Sequence, residues 1–276
     1  MLDNKSVVTE TMLAVNGIEV CAETFGEPGD PALLLIAGGA SSMDWWDDEF
    51  CRRLAAGGRF VIRYDHRDTG RSTSFPAGDP PYSGVDLAND ALGVLDALGA
   101  HRAHLVGIAM GGALAQRIAA ERPHRVLSLT LISSGPLSAA FDEPPAAGVE
   151  WSDRRCAVNR LITRVREAGG PFTAAEPQLR RLAERVFDRT HDMTASQTNH
   201  WRCGSGPPPL GAITAPTLIL HGTLDPVPPA GADGIPGARL VWLDGVGHEF
   251  PPAAVWSQVI DEILDQAGRR GSALPI

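Results

Sequence analysis

The segment HLVGIAMGGALAQ, residues 104–116, decides how this chain is interpreted. An apolar run ends at Gly107, and Gly111 and Gly112 open a stretch with helical spacing. A strand, a sharp turn and a helix in this order form the G-x-S-x-G nucleophile elbow, which holds a serine at the tip of the turn. The residue at the tip of this turn is Ala109, whose methyl side chain cannot attack a substrate.

The chain around this turn alternates between two kinds of apolar pattern. Helical periodicity is clearest over residues 84–99, and Asn16-Gly17 predicts a hairpin near the start. Short, nearly continuous apolar runs, typical of strands buried on both faces, occupy residues 33–36, 60–64, 105–107, 126–132, 216–221 and 238–243. The alternation predicts an α/β fold with a mostly parallel sheet and helices on both faces.

This alternation stops after Ser133. Residues 136–211 contain no strand pattern, and Pro and Gly separate helical stretches at 156–168 and 178–187. We therefore predict a short helical cap, residues 136–211, inserted into a core formed by residues 1–135 and 212–276. A chain of 276 residues is long enough to bury a core of this kind as one domain.

Charge and composition narrow the classes of partner. The formal net charge of −9 opposes binding to nucleic acid or to an anionic membrane, because both need clustered Lys and Arg. No apolar run could span a membrane and the first residues do not resemble a signal peptide, so we expect a cytoplasmic protein. The four cysteines are widely spaced, which predicts neither a zinc site nor a disulfide framework. The expected partner is a small apolar molecule, bound by a monomer or homodimer without a cofactor.

Two further residues stand where a catalytic pair would be needed. Asp225 follows the apolar run 216–221, and His248 follows the run 238–243. Because the carboxyl ends of parallel strands share one crevice, Ala109, Asp225 and His248 are expected to converge. Asp225 would then fix the tautomer of His248 and leave its other ring nitrogen as a base.

Backbone donors are predicted at the same crevice. Gly38 and Gly39 follow the first long buried strand, and such small residues let a backbone N–H approach a ligand. The N–H groups of Gly39 and Met110 are the candidates for an oxyanion hole, which stabilises negative charge on a reacting carbonyl oxygen.

Three segments carry a resemblance to a known family. PALLLIAGG (31–39), DEFCRRLAAGG (48–58) and VIRYDHRDTGRST (61–73) resemble α/β-hydrolases of the aclacinomycin methylesterase type, esterases that trim anthracycline polyketides. The elbow, Asp225 and His248 match that family in role. The resemblance implies an α/β-hydrolase fold, a polycyclic ester as substrate, and a structural role for the loop that contains Asp65 and Arg67. In that family the elbow position is serine, so this chain departs from the pattern at Ala109.

Three explanations of Ala109 differ in what should accompany it. A chance run of small residues would leave the order of Gly39, Asp225 and His248 unexplained. An inactivating Ser to Ala change in an ester hydrolase would leave the other catalytic residues unchanged. The sequence agrees with this, since Gly39, Asp225 and His248 are all present. A naturally serine-free site could use Asp225 and His248 for elimination or rearrangement, and a ligand-binding protein on this scaffold would need neither.

Aromatic residues near the crevice could contact a flat apolar substrate. The candidate substrate-binding residues are Gly38, Trp45, Trp46, Phe141, Trp151 and Trp201. Since a helical cap needs large side chains to pack on its core, at least half of the aromatic residues are expected to serve packing instead.

Overall fold

The computed structural model of the protein describes residues 10–135, 148–204, 206–229 and 234–268. Its centre is one sheet of eight strands with the order β1-β2-β4-β3-β5-β6-β7-β8. These strands are β1 (Thr11–Val15), β2 (Ile18–Phe25), β3 (Ala32–Ile36), β4 (Phe60–Tyr64), β5 (Ala103–Ile108), β6 (Val126–Ile132), β7 (Thr217–Gly222) and β8 (Arg239–Leu243). Strand β2 runs antiparallel to both neighbours, and the strands from β4 to β8 are parallel.

Helices separate the parallel strands and also fill the long connection between β6 and β7. They are α1 (Asp48–Ala56), α2 (Gly84–Ala97), α3 (Met110–Glu121), α4 (Arg154–Ala168), α5 (Glu176–Arg189), α6 (Met193–Thr198) and α7 (Trp256–Gly268). The predicted α/β architecture with a mostly parallel sheet is confirmed. The helical stretch that the sequence opens at Gly111 and Gly112 begins at Met110 in the structure.

The apolar runs are continuous because both faces of the sheet are covered. Along β3, Leu34 and Ile36 join the core on one face, while Leu33 and Leu35 join the core on the other. All five residues of β3 and all six of β5 are buried. Strands of this kind leave only their ends accessible, so the loops that follow them carry the polar chemistry.

The described part of the insertion between β6 and β7 forms a small apolar cluster of its own. Helices α4 and α5 supply most of it, including Leu161, Leu179 and Val186. No strand occurs in residues 148–204 and 206–211, in agreement with the predicted helical character. The division of the chain into a core and a cap at residues 136 and 211 stays an interpretation of the sequence.

Arg189, at the end of α5, ties this insertion to the core. Its guanidinium pairs with Glu10 at 2.7 Å, with Asp65 at 3.0 Å and also with Asp44. The side chains of Asp44 and Asp65 are 0% exposed. Buried carboxylates are tolerated when they are paired, so Arg189 compensates two charges that the loops after β3 and β4 place in the interior.

Replacing Arg189 should therefore destabilise the fold far more than an ordinary surface change. Arg189→Leu is expected to lower the free energy of unfolding by about 3 kcal/mol, because Asp65 loses its cationic partner while staying buried. Urea unfolding followed by circular dichroism measures this. The matched control is Arg154→Leu, whose Asp188 partner is 55% exposed, and its free energy of unfolding should stay close to that of the unchanged protein. Equal losses in the two variants would contradict the assigned role of Arg189.

Candidate active site

Ala109 occupies the tip of a strained turn between β5 and α3. Its backbone angles are φ 48° and ψ −117°, a region that residues with a Cβ atom rarely adopt. Its N–H donates to the carbonyl of Ile132 at 3.1 Å, which ties the turn to β6. The backbone of a nucleophile elbow is thus present in full, and only the side chain at its tip lacks a reactive atom.

Glycines make this turn possible by allowing backbone to approach backbone. A Cβ atom on Gly111 would lie 2.2 Å from the carbonyl oxygen of Ile36 and 2.4 Å from that of Ala37. A Cβ atom on Gly107 would lie 2.3 Å from the carbonyl oxygen of Gly111. All three separations are shorter than any contact that a Cβ atom can accept, so positions 107 and 111 require glycine.

Asp225 and His248 form the hydrogen-bonded pair that the sequence predicts. The Nδ1 atom of His248 lies 2.9 Å from Oδ2 and 3.1 Å from Oδ1 of Asp225. The side chain of Asp225 is fully buried, whereas that of His248 is 32% exposed. Burial raises the pKa of Asp225, but the hydrogen bond and the charge of His248 outweigh it and hold that pKa below its usual value. An ionised Asp225 accepts from Nδ1–H, which leaves Nε2 of His248 as the basic nitrogen.

The oxyanion-hole candidates lie against the elbow. A Cβ atom on Gly38 would stand 3.7 Å from the Cβ atom of Ala109, so the loop after β3 contacts the tip of the turn. Met110 is the first residue of α3, where backbone N–H groups have no acceptor within the helix. Ala109 also packs on the apolar cluster that contains Val246 and Phe250, the neighbours of His248 in sequence.

Comparison with known proteins identifies the family of the chain. The model of a family described as the alpha/beta hydrolase fold matches residues 31–175. Rhodomycin D methylesterase DauP of Streptomyces sp. (strain C5) is 36% identical, over 88% of this chain and 93% of its own. Rhodomycin D methylesterase DnrP of Streptomyces peucetius is 35% identical over the same shares. The chain belongs to the α/β-hydrolase family. The resemblance to methylesterases of anthracycline polyketides is confirmed.

Solved structures agree on the fold. The enol-lactonase from Burkholderia xenovorans LB400 superposes with a TM-score of 0.73 at 24% identity, over 93% of this chain and 99% of its own. At this level of identity the likeness concerns the architecture alone.

The insertion of this α/β-hydrolase also holds the loop that carries His248. The N–H of His248 donates to the carbonyl of Ala168, the last residue of α4, at 2.7 Å. A Cβ atom on Gly247 would stand 2.1 Å from the same oxygen, so the two segments touch through their backbones. The carboxylate of Glu249 accepts from the N–H of Gly170 at 2.9 Å. Asp225 therefore holds the imidazole ring of His248, and the end of α4 holds its backbone.

The predicted aromatic contacts divide into two groups. Trp45 stacks on Phe250 at a ring separation of 6.0 Å, and the ring of Trp201 covers Gly39. Trp46 is 1% exposed and packs in the core, and Trp151 is buried in the cluster of the insertion. Both side chains serve packing in the structure, Trp46 also lies 5.0 Å from the ring of Phe250, and their contact with substrate stays a prediction.

Phe141, the remaining aromatic candidate, lies outside the described residues.

Sequence reasoning placed Asp65 and Arg67 among the structural residues, and their contacts agree. Asp65 accepts from the N–H groups of Met43 at 2.8 Å and Arg71 at 3.0 Å. Arg67 forms a two-bond ion pair with Asp90. Asp65 thus ties the loop after β4 to the loop after β3, and Arg67 ties the loop after β4 to α2.

Three residues near the site carry no motif that could have identified their contacts. His221 places Nε2 3.6 Å from Oδ2 of Asp225 and 2.7 Å from the carbonyl oxygen of Val227. Gln197 and His200, in the insertion, bind the loop after β3. Their partners lie 157 and 160 residues away in sequence, and only the tertiary fold brings them together.

Outside this site, the described residues were compared with two other kinds of site, a ligand cavity and a metal centre. A cavity of about 480 Å³ beside α2 is lined by polar residues such as Asn16, Asp86 and Arg125, and none of Ala109, Asp225 or His248 borders it. Over the described ranges, no group of three or more His, Cys, Asp or Glu is placed to hold a metal ion. No helix in that part of the chain has the length and apolar character needed to cross a membrane.

The close backbone crossing at Gly111 predicts a specific sensitivity. Gly111→Ala should lower the free energy of unfolding by about 3 kcal/mol or more, because the new methyl group meets two carbonyl oxygens that cannot move independently. Chemical denaturation measures the loss. The control is Gly29→Ala, where a Cβ atom has no neighbour within 4 Å and the change should be within about 0.5 kcal/mol. A tolerated alanine at 111 would show that the crossing is looser than described.

Proposed function

We propose that this α/β-hydrolase binds a carboxylic ester of a polycyclic polyketide in a site built for acyl-enzyme hydrolysis, with Ala109 at the position of the nucleophile. The observation that carries the proposal is the hydrogen-bonded pair of Asp225 and His248 in the loops after β7 and β8, in the same parallel sheet whose strand β5 leads into the turn at Ala109. The strained turn at Ala109 and the close approach of the loop after β3 to that turn support the proposal as well. The chain with Ala109 should hold an ester without cleaving it by this route.

With a serine at position 109, each residue of the site takes one role in ester hydrolysis. The serine Oγ attacks the ester carbonyl carbon while its proton passes to Nε2 of His248, and Asp225 stabilises the resulting imidazolium. The N–H groups of Gly39 and Met110 donate to the oxygen that becomes negative. The alcohol leaves with the proton from His248, and water then cleaves the acyl-enzyme to release the carboxylic acid.

Two features support the substrate class. The rhodomycin D methylesterases align with nearly the whole chain, and their names specify a methyl ester. Trp201 over Gly39 and the stacked pair of Trp45 and Phe250 present flat apolar surfaces beside the elbow. Flat rings are well matched to polycyclic aromatic ligands.

Restoring the hydroxyl group tests the proposal. Ala109→Ser should hydrolyse p-nitrophenyl butyrate and the methyl esters of anthraquinone carboxylic acids, with kcat at least about a thousandfold above that of the chain with Ala109. The strained backbone at 109 is already formed, so the new hydroxyl group should be placed for attack without rearrangement. Release of p-nitrophenol and chromatography of the free acid measure the two reactions.

The controls for this experiment remove one requirement each. Ala109→Gly supplies no hydroxyl group and should stay inactive. Ala109→Ser combined with His248→Ala should lose nearly all of the gain, because the serine has no base. A folded Ala109→Ser variant with no gain on either class of ester would discard the acyl-enzyme proposal.

A second candidate function rests on the same pair of residues. Nε2 of His248 is a positioned base even without a nucleophile, so the chain with Ala109 could catalyse elimination or rearrangement of a bound polyketide. In that case His248→Ala should lower any such activity by about a hundredfold to ten-thousandfold, as measured by mass spectrometry of the incubated ligand.

The matched control for this second candidate is His101→Ala, an exposed histidine just before the amino end of β5, which should leave the activity unchanged. Product formation that survives His248→Ala would eliminate the candidate. Ligand binding with no product in any variant would instead identify a binding protein.

A further inference from the structure

Two side chains of segment 197–201 in the insertion hydrogen-bond to one residue of the loop after β3, Ala40. Nδ1 of His200 accepts the N–H of Ala40 at 2.9 Å. Nε2 of Gln197 donates to the carbonyl oxygen of Ala40 at 3.0 Å. Both polar backbone groups of Ala40 are thus bound by side chains that reach it from the insertion.

The hydrogen bonds of His200 fix its protonation. Its Nε2 atom lies 2.8 Å from the carbonyl oxygen of Arg67, which can only accept, so Nε2 carries the proton. Nδ1 therefore has the lone pair that the N–H of Ala40 requires. The ring is completely buried, and burial lowers the pKa of His200, which favours this neutral form.

Ala40 needs such support because its backbone is strained. Its φ angle is 56°, in the left-handed region, which is unfavourable for a residue with a Cβ atom. A strained conformation persists only where the surrounding contacts define it fully. The two bonds from the insertion supply that definition, since they fix the peptide groups on both sides of the Ala40 Cα atom.

The same contacts determine which N–H of the loop can face a substrate. The N–H of Ala40 is occupied by His200, whereas within the described residues no acceptor is bound to the N–H of Gly39. The ring of Trp201 lies so close to Gly39 that a Cβ atom there would be 2.6 Å from Cη2. In this loop the N–H of Ala40 is therefore occupied, and the N–H of Gly39 is left available to a ligand.

We propose that His200 is a positioning residue of the oxyanion hole, which acts together with Gln197 by locking Ala40 so that the N–H of Gly39 faces the reacting carbonyl oxygen. His200 contacts no substrate atom in this proposal. The inference rests on the proposed function for its catalytic consequence, whereas its structural part can be measured in the chain as it stands. Because Gln197 and His200 belong to the insertion, the oxyanion hole is complete only when the insertion is folded.

The test compares two nearly isosteric replacements. His200→Asn keeps an oxygen acceptor near the position of Nδ1, and His200→Leu removes it. In the Ala109→Ser background, His200→Leu should lower kcat for ester hydrolysis by about ten- to a hundredfold, with KM changed less than about threefold. His200→Asn should recover at least tenfold of that loss. Equal kcat values for the two variants, or a loss confined to KM, would overturn the proposal.

A second measurement needs no catalysis. In the chain with Ala109, amide hydrogen exchange of Ala40 should be at least about tenfold faster in His200→Leu than in His200→Asn. Unchanged exchange at Ala40 in a folded His200→Leu variant would refute the positioning role, whatever the esterase assay gives. Absence of hydrolysis by Ala109→Ser alone would instead count against the proposed function.

If His200→Leu does not fold, Gln197→Met provides the equivalent test from the other side of Ala40. It removes the donor to the carbonyl oxygen of Ala40 while keeping the length of the side chain. The expected result is a smaller fall in kcat, about three- to tenfold, with faster exchange at Ala40. No change in either quantity would overturn the proposal.

Discussion

The site depends on one constraint, the contact of backbone with backbone where the first turn of α3 crosses the loop after β3. Gly111 leaves no space for a side chain between these segments, because a Cβ atom would lie 2.2 Å from the carbonyl oxygen of Ile36. This crossing sets the sharp turn at Ala109 and brings Gly38 against it. A strained residue costs about 1–3 kcal/mol, and the fold retains that cost although the residue at the tip has no reactive atom.

A second constraint concerns the buried carboxylate. Asp225 is fully buried, and its hydrogen bonds to His248 and to the N–H of Val227 compensate the loss of water. The pair is thus a structural unit as well as a chemical one, since an unpaired carboxylate at this depth would be strongly destabilising. The insertion also positions parts of the site by hydrogen bonds. The end of α4 binds the backbone of His248, and segment 197–201 binds the backbone of Ala40.

The sequence predicted those features that depend on local pattern. Strands such as β3 and β5 are continuous apolar runs because both of their faces are buried, and Ala109, Asp225 and His248 were each predicted from a position just after an apolar run, namely after β5, β7 and β8. Contacts made across the fold carried no such pattern. Trp45 and Trp46 are adjacent in sequence and both contact Phe250, yet Trp46 belongs to the core beside the sheet while Trp45 packs against the apolar cluster of the insertion.

Covalent labelling of position 109 tests the central claim most directly. A p-nitrophenyl phosphonate ester reacts irreversibly with a serine that has an activated hydroxyl group and an oxyanion hole. Intact-mass and peptide mass spectrometry should show one equivalent of label per Ala109→Ser chain, on the peptide that contains residue 109, and none on the chain with Ala109. An unlabelled Ala109→Ser variant, or a label on the same other residue in both proteins, would contradict the account.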